Sequence, residues 1–432
     1  MFHMRDNYSR TKNYFESIRS KFLPIKYSQD LKIITIVGQS GASSFLVLAF
    51  AGNSLSKSDL SKFLVSWSVI NLFSIIFQYS LEQFLPKFQA TSAIEIHNSK
   101  KVNKKAFIFE TILTAATAMF WLGSKVVLRV DLNAYQLIST FVYIAAMGIY
   151  IYDRALNFAN ARYGKSLQNA TIQLIIVALV LCVGKTFGVL GFVNIFYSVS
   201  VALISGPCFS VYVKSINIQS EPSIDLKNSG NIARDFVPLV GIAYTSLVDL
   251  TISNGGVLII RHLESNDDRI ISYIGVISIL SVPLTLLNSL LYPMATQLNS
   301  LQSFDKSGKK KYLLSQFWKI MFLLSACFAV SISVTPYIFR SLFPSIKPFT
   351  TFELAIIWMG LATSLMTNYF RIILISIGNY KIMAQYWSGS LIVYFAFLFL
   401  PFTGVIRISL ASIVSSFFII LYFSIKNRSN LV

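Results

Sequence analysis

Charged residues are scarce in this 432-residue chain, since Asp, Glu, Lys and Arg make up only 13% of it. Soluble domains carry roughly 25% charged residues, so about half of the usual charge is missing. At the same time 54% of the residues are hydrophobic, and the mean hydropathy is +0.62. A soluble core could not hide this much apolar surface. The composition therefore excludes a soluble globular protein and indicates a chain that lies in a lipid bilayer.

Cysteine and histidine, which supply most transition-metal ligands, are also scarce, with three of each. The cysteines at positions 182, 208 and 327 lie in apolar runs without metal-ligand spacing. We expect them to be small buried apolar side chains that form neither a disulfide framework nor a metal site. The histidines are scattered through loops and form no cluster. We therefore expect no metal and no cofactor.

Apolar runs of about 20 residues, long enough to cross a bilayer as helices, recur along the whole chain. Lys and Arg bound these runs, and the connections between them are too short to hold a catalytic domain outside the membrane. The sequence thus predicts an all-α polytopic membrane protein. Its expected transmembrane helices, about twelve in number, lie at 33–52, 63–85, 106–124, 135–154, 167–184, 189–212, 236–260, 270–293, 316–338, 350–375, 382–400 and 403–424.

Acidic residues are half as frequent as basic ones, 18 against 37, which leaves a net charge of +19. A nucleic-acid-binding protein would concentrate this charge on one face of a soluble domain, and the chain has no such domain. If the N-terminus is cytoplasmic, roughly three basic residues lie in cytoplasmic segments for each one outside. The basic segment 1–32 contains no apolar stretch of the kind found in signal sequences. We therefore expect both termini to be cytoplasmic.

The order of helices and loops repeats once along the chain. Pro86 and Pro293 occupy corresponding positions, each at the end of a predicted helix and before a basic loop. The pattern predicts an N-terminal six-helix lobe at 1–213, a cytoplasmic linker at 214–235 and a C-terminal six-helix lobe at 236–432. Six helices per lobe make the second lobe enter the membrane from the same side as the first. The expected architecture is two parallel lobes around a central cavity.

Several segments resemble the polysaccharide-transporter branch of the MOP superfamily, the Wzx-type O-antigen flippases. They are IITIVGQSGASSFLVLAFAG in the first span, YSLEQFLPKFQA at the end of the second, YDRALNFANARYGKSLQNA after the fourth, the Asp-bearing seventh span, and PMATQL closing the eighth. The resemblance implies a bacterial inner-membrane transporter that takes part in O-antigen and lipopolysaccharide biosynthesis. Its cargo would be an undecaprenyl-diphosphate-linked oligosaccharide. Its partners would be membrane lipid, a polysaccharide polymerase and chain-length proteins, with no nucleic acid.

Asp249 is the only acidic or basic residue between positions 236 and 260. It lies about 13 residues into this span, and ~1.5 Å per residue places it about 20 Å deep, near the midplane. An ionised side chain there costs about 2.5–3.5 kcal/mol to insert, so it needs protein or water around it. One hypothesis is that Asp249 lines a water-filled cavity on a polar face with Ser246, Ser253 and Asn254, and couples transport to a proton or cation. The other is a structural carboxylate, satisfied by neighbouring hydroxyl groups or one arginine.

We single out three further charged residues that lie inside or at the edge of predicted spans. Arg371 and Arg407 either extend to the lipid headgroups or face the cavity, where a planar guanidinium could bind a diphosphate or an acidic sugar. Glu82 is either a helix-end carboxylate paired with Lys87 or a gate residue between the lobes. It is also the only deep carboxylate that we identify in the first lobe.

Three classes of function are compatible with such a chain to different degrees. A membrane polymerase or ligase needs a large catalytic loop outside the membrane, and the chain has none, so we expect no enzyme. A multidrug or small-solute cation antiporter of the same superfamily usually has acidic residues in its first half. The sequence favours a flippase of lipid-linked oligosaccharides, working by alternating access and coupled to an ion gradient. Tyr143 and Tyr150 share a helix face and are candidates to stack on its sugars.

Overall fold

Within the residues that it describes, the computed structural model of the chain contains twelve helices. We label them α1 (Leu31–Ser54), α2 (57–71), α3 (Ser99–Val127), α4 (Ala134–Ala159), α5 (Tyr163–Thr186), α6 (Phe192–Ile216), α7 (Ile232–Asn254), α8 (Asp267–Ser289), α9 (Lys306–Leu342), α10 (Thr351–Ile377), α11 (Tyr380–Phe397) and α12 (Gly404–Lys426). The structure describes residues 31–71, 73–74, 99–128, 130–159, 162–216, 232–254, 256, 259–260, 267–289, 306–344, 346–377 and 380–426.

The helices confirm the predicted fold class, an all-α polytopic membrane protein. Each of the twelve helices overlaps one predicted span. Described ends differ by up to ten residues because polar turns continue some helices beyond the apolar run, as at the start of α9. Most of the second half of the predicted span 63–85 lies outside the described residues. Within the described residues, six helices are long and apolar enough to cross a membrane on their own, namely α1, α4, α5, α6, α9 and α12. Among the others, α7 and α10 bury polar side chains against neighbouring helices, such as Ser246 and Arg371.

Three of the short connections place a capping residue directly before a helix. At the start of α2, the Ser56 hydroxyl group donates to the Asp59 carboxylate and accepts from the Asp59 backbone N–H. At the start of α4, the backbone N–H of Asn133 donates to Gln136 Oε1, and the backbone N–H of Gln136 donates to Asn133 Oδ1. Thr350 and Glu353 do the same before α10. Such pairs satisfy the free N–H groups of a helix start and fix where the chain turns back into the bilayer. Local sequence therefore sets these turns.

Helix contacts divide the molecule into two six-helix halves. In the described part of the chain, extensive contacts in the first half join α4 to α3, α5 and α6, and α5 to α6. In the second half they join α7 to α10, α11 and α12, α8 to α9 and α10, and α12 to α10 and α11. The stretch 217–231 between the halves lies outside the described residues, as does Pro86 with Pro293. The lobe boundaries at 213 and 236 stay predictions.

The two halves touch at the end of the molecule where α1 ends and where α2 and α8 begin. Lys57 Nζ lies 3.2 Å from Asp268 Oδ1, an ion pair between the halves. Gly52 of α1 packs against the end of α9 so closely that a Cβ there would collide with the Leu342 carbonyl oxygen and the Phe343 ring. A small residue lets the two backbones approach. We call this region the closed end.

Candidate functional site

Asp249 lies in the interior of the second half, on a helix that three others surround. Its helix, α7, packs against α10, α11 and α12. Only 3% of the residue is exposed, and Thr245 and Ser246 on the same helix are fully buried. A carboxylate at this depth has to be satisfied by protein groups or lose its charge. The neighbouring helices supply those groups.

Arg371 of α10 is the cationic partner of this carboxylate. It is 1% exposed, so it does not extend to the lipid headgroups, which excludes that hypothesis for this conformation. Its Nη1 donates a hydrogen bond to Ser246 Oγ at 2.9 Å, one turn from Asp249. The guanidinium is close enough to stabilise the negative charge of Asp249. The sequence predicted both residues as pathway candidates, and the fold places them in one cluster.

Three further side chains complete the surroundings of Asp249. Thr367 lies one turn from Arg371 on α10, and its hydroxyl group donates to Asp249 Oδ1. Ser364 of the same helix and Trp387 of α11 also lie beside the carboxylate. Together with Ser246, Asp249 and Arg371 these residues form what we call the Asp249 cluster. Each carries a polar group that can point inward because α7, α10 and α11 meet there.

The cluster holds one acidic and one basic side chain out of contact with solvent. Burying two opposite charges together costs less free energy than burying one of them alone. The attraction offsets the loss of hydration only if hydrogen bonds satisfy the remaining polar groups of both side chains. The expectation that Asp249 is hydrated by a water-filled cavity is therefore wrong for this conformation. Its contacts are those of the alternative hypothesis, neighbouring hydroxyl groups and one arginine. In this state the cluster joins helices, and it can meet water or cargo only if α7 and α10 separate.

Arg407 lies apart from the cluster, at the start of α12. Its guanidinium donates to the Phe402 carbonyl oxygen from Nε at 3.0 Å and from Nη2 at 2.6 Å. These bonds stabilise the turn between α11 and α12. In this conformation the Arg407 guanidinium therefore binds a backbone carbonyl group and is not directed at a cargo. Glu82 lies outside the described residues. Ser253 and Asn254 fall in the last turn of α7, but their side chains lie outside the described part, so the proposed polar face remains untested beyond Ser246.

The tyrosines predicted to stack on sugars are core residues in this structure. Tyr143 is 1% exposed, its ring stacks on Trp67 at 5.2 Å, and its hydroxyl group donates to Asn71. Tyr150 is buried and shares a hydrogen bond with Ser40 of α1. Because α4 packs against α6 along this face, both rings join helices. They are not accessible to a sugar here.

The cysteines correct another expectation. Cys182 and Cys208 are exposed and Cys327 is half-buried, although we expected all three to be buried. Apolar side chains of a membrane helix can face lipid as well as the core, which is why the usual link between apolar character and burial fails. The three are unpaired, and within the described ranges no group of His, Cys, Asp and Glu could hold a metal ion.

No protein-family model and no curated protein matches this sequence. Solved structures match it by fold. An inward-facing multidrug resistance transporter of the MATE family, in the MOP superfamily, aligns with a TM-score of 0.65 and 11% identity over 91% of this chain and 98% of its own. A eukaryotic MATE transporter, AtDTX14, aligns with a TM-score of 0.68 and 13% identity over 94% and 97%.

A third structure is a MOP superfamily transporter from Pyrococcus furiosus, described as having a binding pocket of reversed polarity that suggests a different function. It aligns with a TM-score of 0.57 and 13% identity, over 93% of this chain and 94% of its own. The chain has the fold of a MOP superfamily transporter. The predicted fold is thereby confirmed, whereas membership of the superfamily and of its polysaccharide branch stays a prediction.

In the first half, sequence reasoning missed one half-buried carboxylate, Asp153, and one buried carboxylate, Glu110. Asp153 of α4 accepts hydrogen bonds from Asn157 at 2.9 Å and from Asn169 of α5 at 2.7 Å. Glu110 of α3 is only 4% exposed. Glu82 is therefore not the only deep carboxylate of this half. The signal was available, because Glu110 is the single charged residue in the span 106–124, just as Asp249 is in its own span.

Proposed function

We propose that the protein is a secondary transporter that works by alternating access and catalyses no chemical reaction. The observation that supports this most directly is the fold, a two-half, twelve-helix arrangement shared with MATE transporters. Extensive contacts lie within each half, and the halves meet at the closed end. Two rigid bodies joined in this way can exchange contacts at one end for contacts at the other, which exposes a central pathway to each side in turn.

As cargo we propose a lipid-linked oligosaccharide with an undecaprenyl-diphosphate anchor. The support is chemical, since each half buries an arginine, Arg154 in α4 and Arg371 in α10. A guanidinium binds phosphate through two parallel hydrogen bonds and carries little hydration, so it suits an anionic headgroup that must pass hydrocarbon. The Pyrococcus transporter, described as having reversed pocket polarity, is a precedent for varied pocket charge on this fold. The partners would be those of polysaccharide assembly.

The second candidate is a multidrug or small-solute cation antiporter. The fold comparisons favour it more directly than the first, because the MATE structures that align include multidrug resistance transporters. A buried carboxylate in the first half, Glu110, also fits a cavity that accepts cations. On fold similarity alone this candidate is the stronger of the two, whereas the buried arginines and the sequence resemblance favour the first.

One comparison separates the two candidates. The gene is expressed in a strain that lacks its own O-antigen flippase and in a strain that lacks its main drug exporters. We expect restored surface polysaccharide in the first and unchanged resistance to cationic dyes in the second. The reverse pattern would assign the antiporter function. Failure in both, at a membrane protein level equal to that of an active control transporter, would contradict both cargoes.

Arg371 allows the flippase function to be tested within the protein. Arg371→Ala should strongly reduce surface polysaccharide, and Arg371→Lys should restore only part of it, because lysine keeps the charge but loses the planar fork. The readout is polysaccharide normalised to the amount of folded protein in the membrane. Full activity of the alanine variant at equal protein level would remove Arg371 from the pathway.

We also propose that both termini lie in the cytoplasm of a bacterium, with the protein in its inner membrane. The distribution of Lys and Arg supports this orientation, and it places the closed end on the periplasmic side. A reporter that is active only in the periplasm should give a signal when fused after Asn53 or Lys347, and none after Lys101 or Lys310. A strong signal at Lys310 would reverse the orientation.

A further inference from the structure

Glu110 differs from Asp249 in that no cationic partner lies beside it among the described residues. It lies on α3, about 16 Å from the start of the helix at ~1.5 Å per residue, and it is 4% exposed. Thr114, one turn further along, donates to Glu110 Oε1 at 3.3 Å. The other carboxylate oxygen, Oε2, is buried and has no hydrogen-bond partner among the described residues. A buried acid in this position needs an explanation other than an ion pair.

The neighbouring helix is shaped to leave room for this acid. Gly148 of α4 lies opposite Glu110, and a Cβ there would collide with the Thr114 hydroxyl and lie 3.3 Å from Glu110 Oε1. Glycine is a poor helix former, and alanine would be better by up to about 1 kcal/mol in a helix interior. Glycine at position 148 therefore leaves the space that the Thr114 and Glu110 side chains occupy. The Glu110 carboxyl group thus lies in a specific polar site at the α3–α4 interface, beside the Thr114 hydroxyl group and opposite Gly148.

None of the titratable and charged groups that the structure describes near Glu110 forms an ion pair with it. On α4, the Tyr152 ring packs against Phe107 at 5.5 Å. Asp153 is held towards α5 by its asparagine bonds, and the Arg154 guanidinium lies over the Tyr150 and Phe158 rings, 5.7 and 5.8 Å from their centroids. On α2, which meets α3 where Phe73 stacks on Phe120, the described positions from 63 to 74 contain no acidic or basic residue.

We propose that Glu110 is a proton-binding site of the transport cycle, protonated in the conformation seen here and deprotonated when α3 is exposed to water in the other. The free energy needed to bury an ionised carboxylate without a counter-ion is large. Burying the neutral carboxyl group costs no more than burying any other polar group. Asp249 differs in that the guanidinium of Arg371 lies beside it and opposes the cost of burying its charge. Proton release from Glu110 would then favour one arrangement of the two halves over the other. This inference rests on the proposed transport function.

The test measures conformation as a function of pH without any cargo. Spin labels are placed on cysteines at Asn53 and Lys347, one in each half, in a chain whose native cysteines are replaced by serine. The protein is reconstituted in lipid nanodiscs, and the distance distribution is recorded from pH 5 to pH 9. We expect two populations whose ratio changes by up to about tenfold per pH unit, the limit for one coupled proton.

Glu110→Gln should keep the low-pH distribution at every pH, because glutamine mimics the neutral acid. Glu110→Asp should still titrate, with a shifted midpoint. Asp131→Asn, which changes an exposed carboxylate just beyond the end of the same helix, is the matched control and should titrate like the parent. A parent without pH dependence, or a Glu110→Gln variant that titrates like the parent, would overturn the proposal.

A second pair of variants keeps the test decisive if Glu110→Gln does not fold. Thr114→Val removes the one described donor to the ionised carboxylate, so the midpoint should move to higher pH. Thr111→Val is its control, because the Thr111 hydroxyl bonds only to the Phe107 carbonyl oxygen. Equal midpoints for the two variants would contradict the proposal. Because no cargo is present, this outcome is independent of whether the transported molecule has been identified correctly.

Discussion

At the scale of single residues, the buried pair of Asp249 and Arg371 is the most unusual feature of the second half. Removing one member of a buried pair leaves the other charged and unpaired, which typically costs 3–5 kcal/mol. Replacing both with neutral polar residues removes the unpaired charge. The pair therefore specifies how α7 packs against α10 more than it adds to the free energy of unfolding.

The first prediction follows from this asymmetry. Asp249→Asn and Arg371→Gln should each destabilise the protein by about 3–5 kcal/mol, and the double variant should cost less than the sum of the two. The measurement is thermal unfolding of the purified protein in detergent, completed as a double-mutant cycle. Additive effects within about 0.5 kcal/mol would mean that the two charges do not interact.

Thr367 gives a second prediction at this scale. Thr367→Val keeps the shape of the side chain but removes the donor to Asp249, which should cost about 1–3 kcal/mol because a charged acceptor loses its bond. Thr363 lies one turn away on the same helix, and its hydroxyl group bonds only to the backbone of that helix. Thr363→Val should therefore unfold at nearly the parental temperature. Equal losses in the two variants would show that the bond to Asp249 contributes nothing.

How far the sequence predicts the site depends on whether the property is local. The isolation of Asp249 in an apolar span is local, and so its buried position and its need for a partner could be predicted. That Arg371 and Thr367 are the partners depends on how α7 docks on α10, more than a hundred residues apart. Glu110 was overlooked for a different reason. It lies near the cytoplasmic end of its predicted span, where a carboxylate is usually hydrated.

At the scale of helices, hydropathy predicts where each helix runs, because the bilayer imposes the same length on every span. It does not predict which helices pack together. In a soluble protein, apolar character distinguishes the buried side chains from the exposed ones. In this protein the exposed side chains include Phe322, Tyr337 and Phe399, so hydropathy does not separate the outer surface from the core. Small residues carry the packing information instead, and their contacts depend on the partner helix.

Gly52 gives a prediction at this scale. Gly52→Ala should push α1 away from the end of α9, because its methyl group would collide with the Leu342 carbonyl oxygen. Spin labels at Asn53 and Lys347 should then report a larger separation than in the parent. Gly123→Ala in α3 is the control, because a Cβ there meets no atom within 4 Å. If the two alanine variants give the same separation as the parent, the close approach at Gly52 does not hold the closed end.

At the scale of the whole molecule, alternating access requires the closed end to open. Two of the described contacts there are an exposed ion pair between Lys57 and Asp268 and the close approach at Gly52. Exposed ion pairs contribute about 0–1 kcal/mol, so the ion pair does little to oppose opening. Such an interface suits a contact that must form and break in each cycle. Most buried apolar residues of the two halves belong to one continuous cluster, so apolar contacts also cross between the halves.

A reducible cross-link tests this directly. Cysteines at Lys57 and Asp268, in a chain without its native cysteines, are joined with a short bifunctional thiol reagent. We expect transport to fall more than tenfold, which corresponds to a barrier raised by at least about 1.4 kcal/mol, and to recover on reduction. The matched control joins cysteines at Arg269 and Glu353, an ion pair 3.1 Å long within the second half. That cross-link should leave transport unchanged, because it ties no helix of one half to the other. Undiminished transport by the fully cross-linked Lys57–Asp268 variant would mean that the halves do not separate at this end.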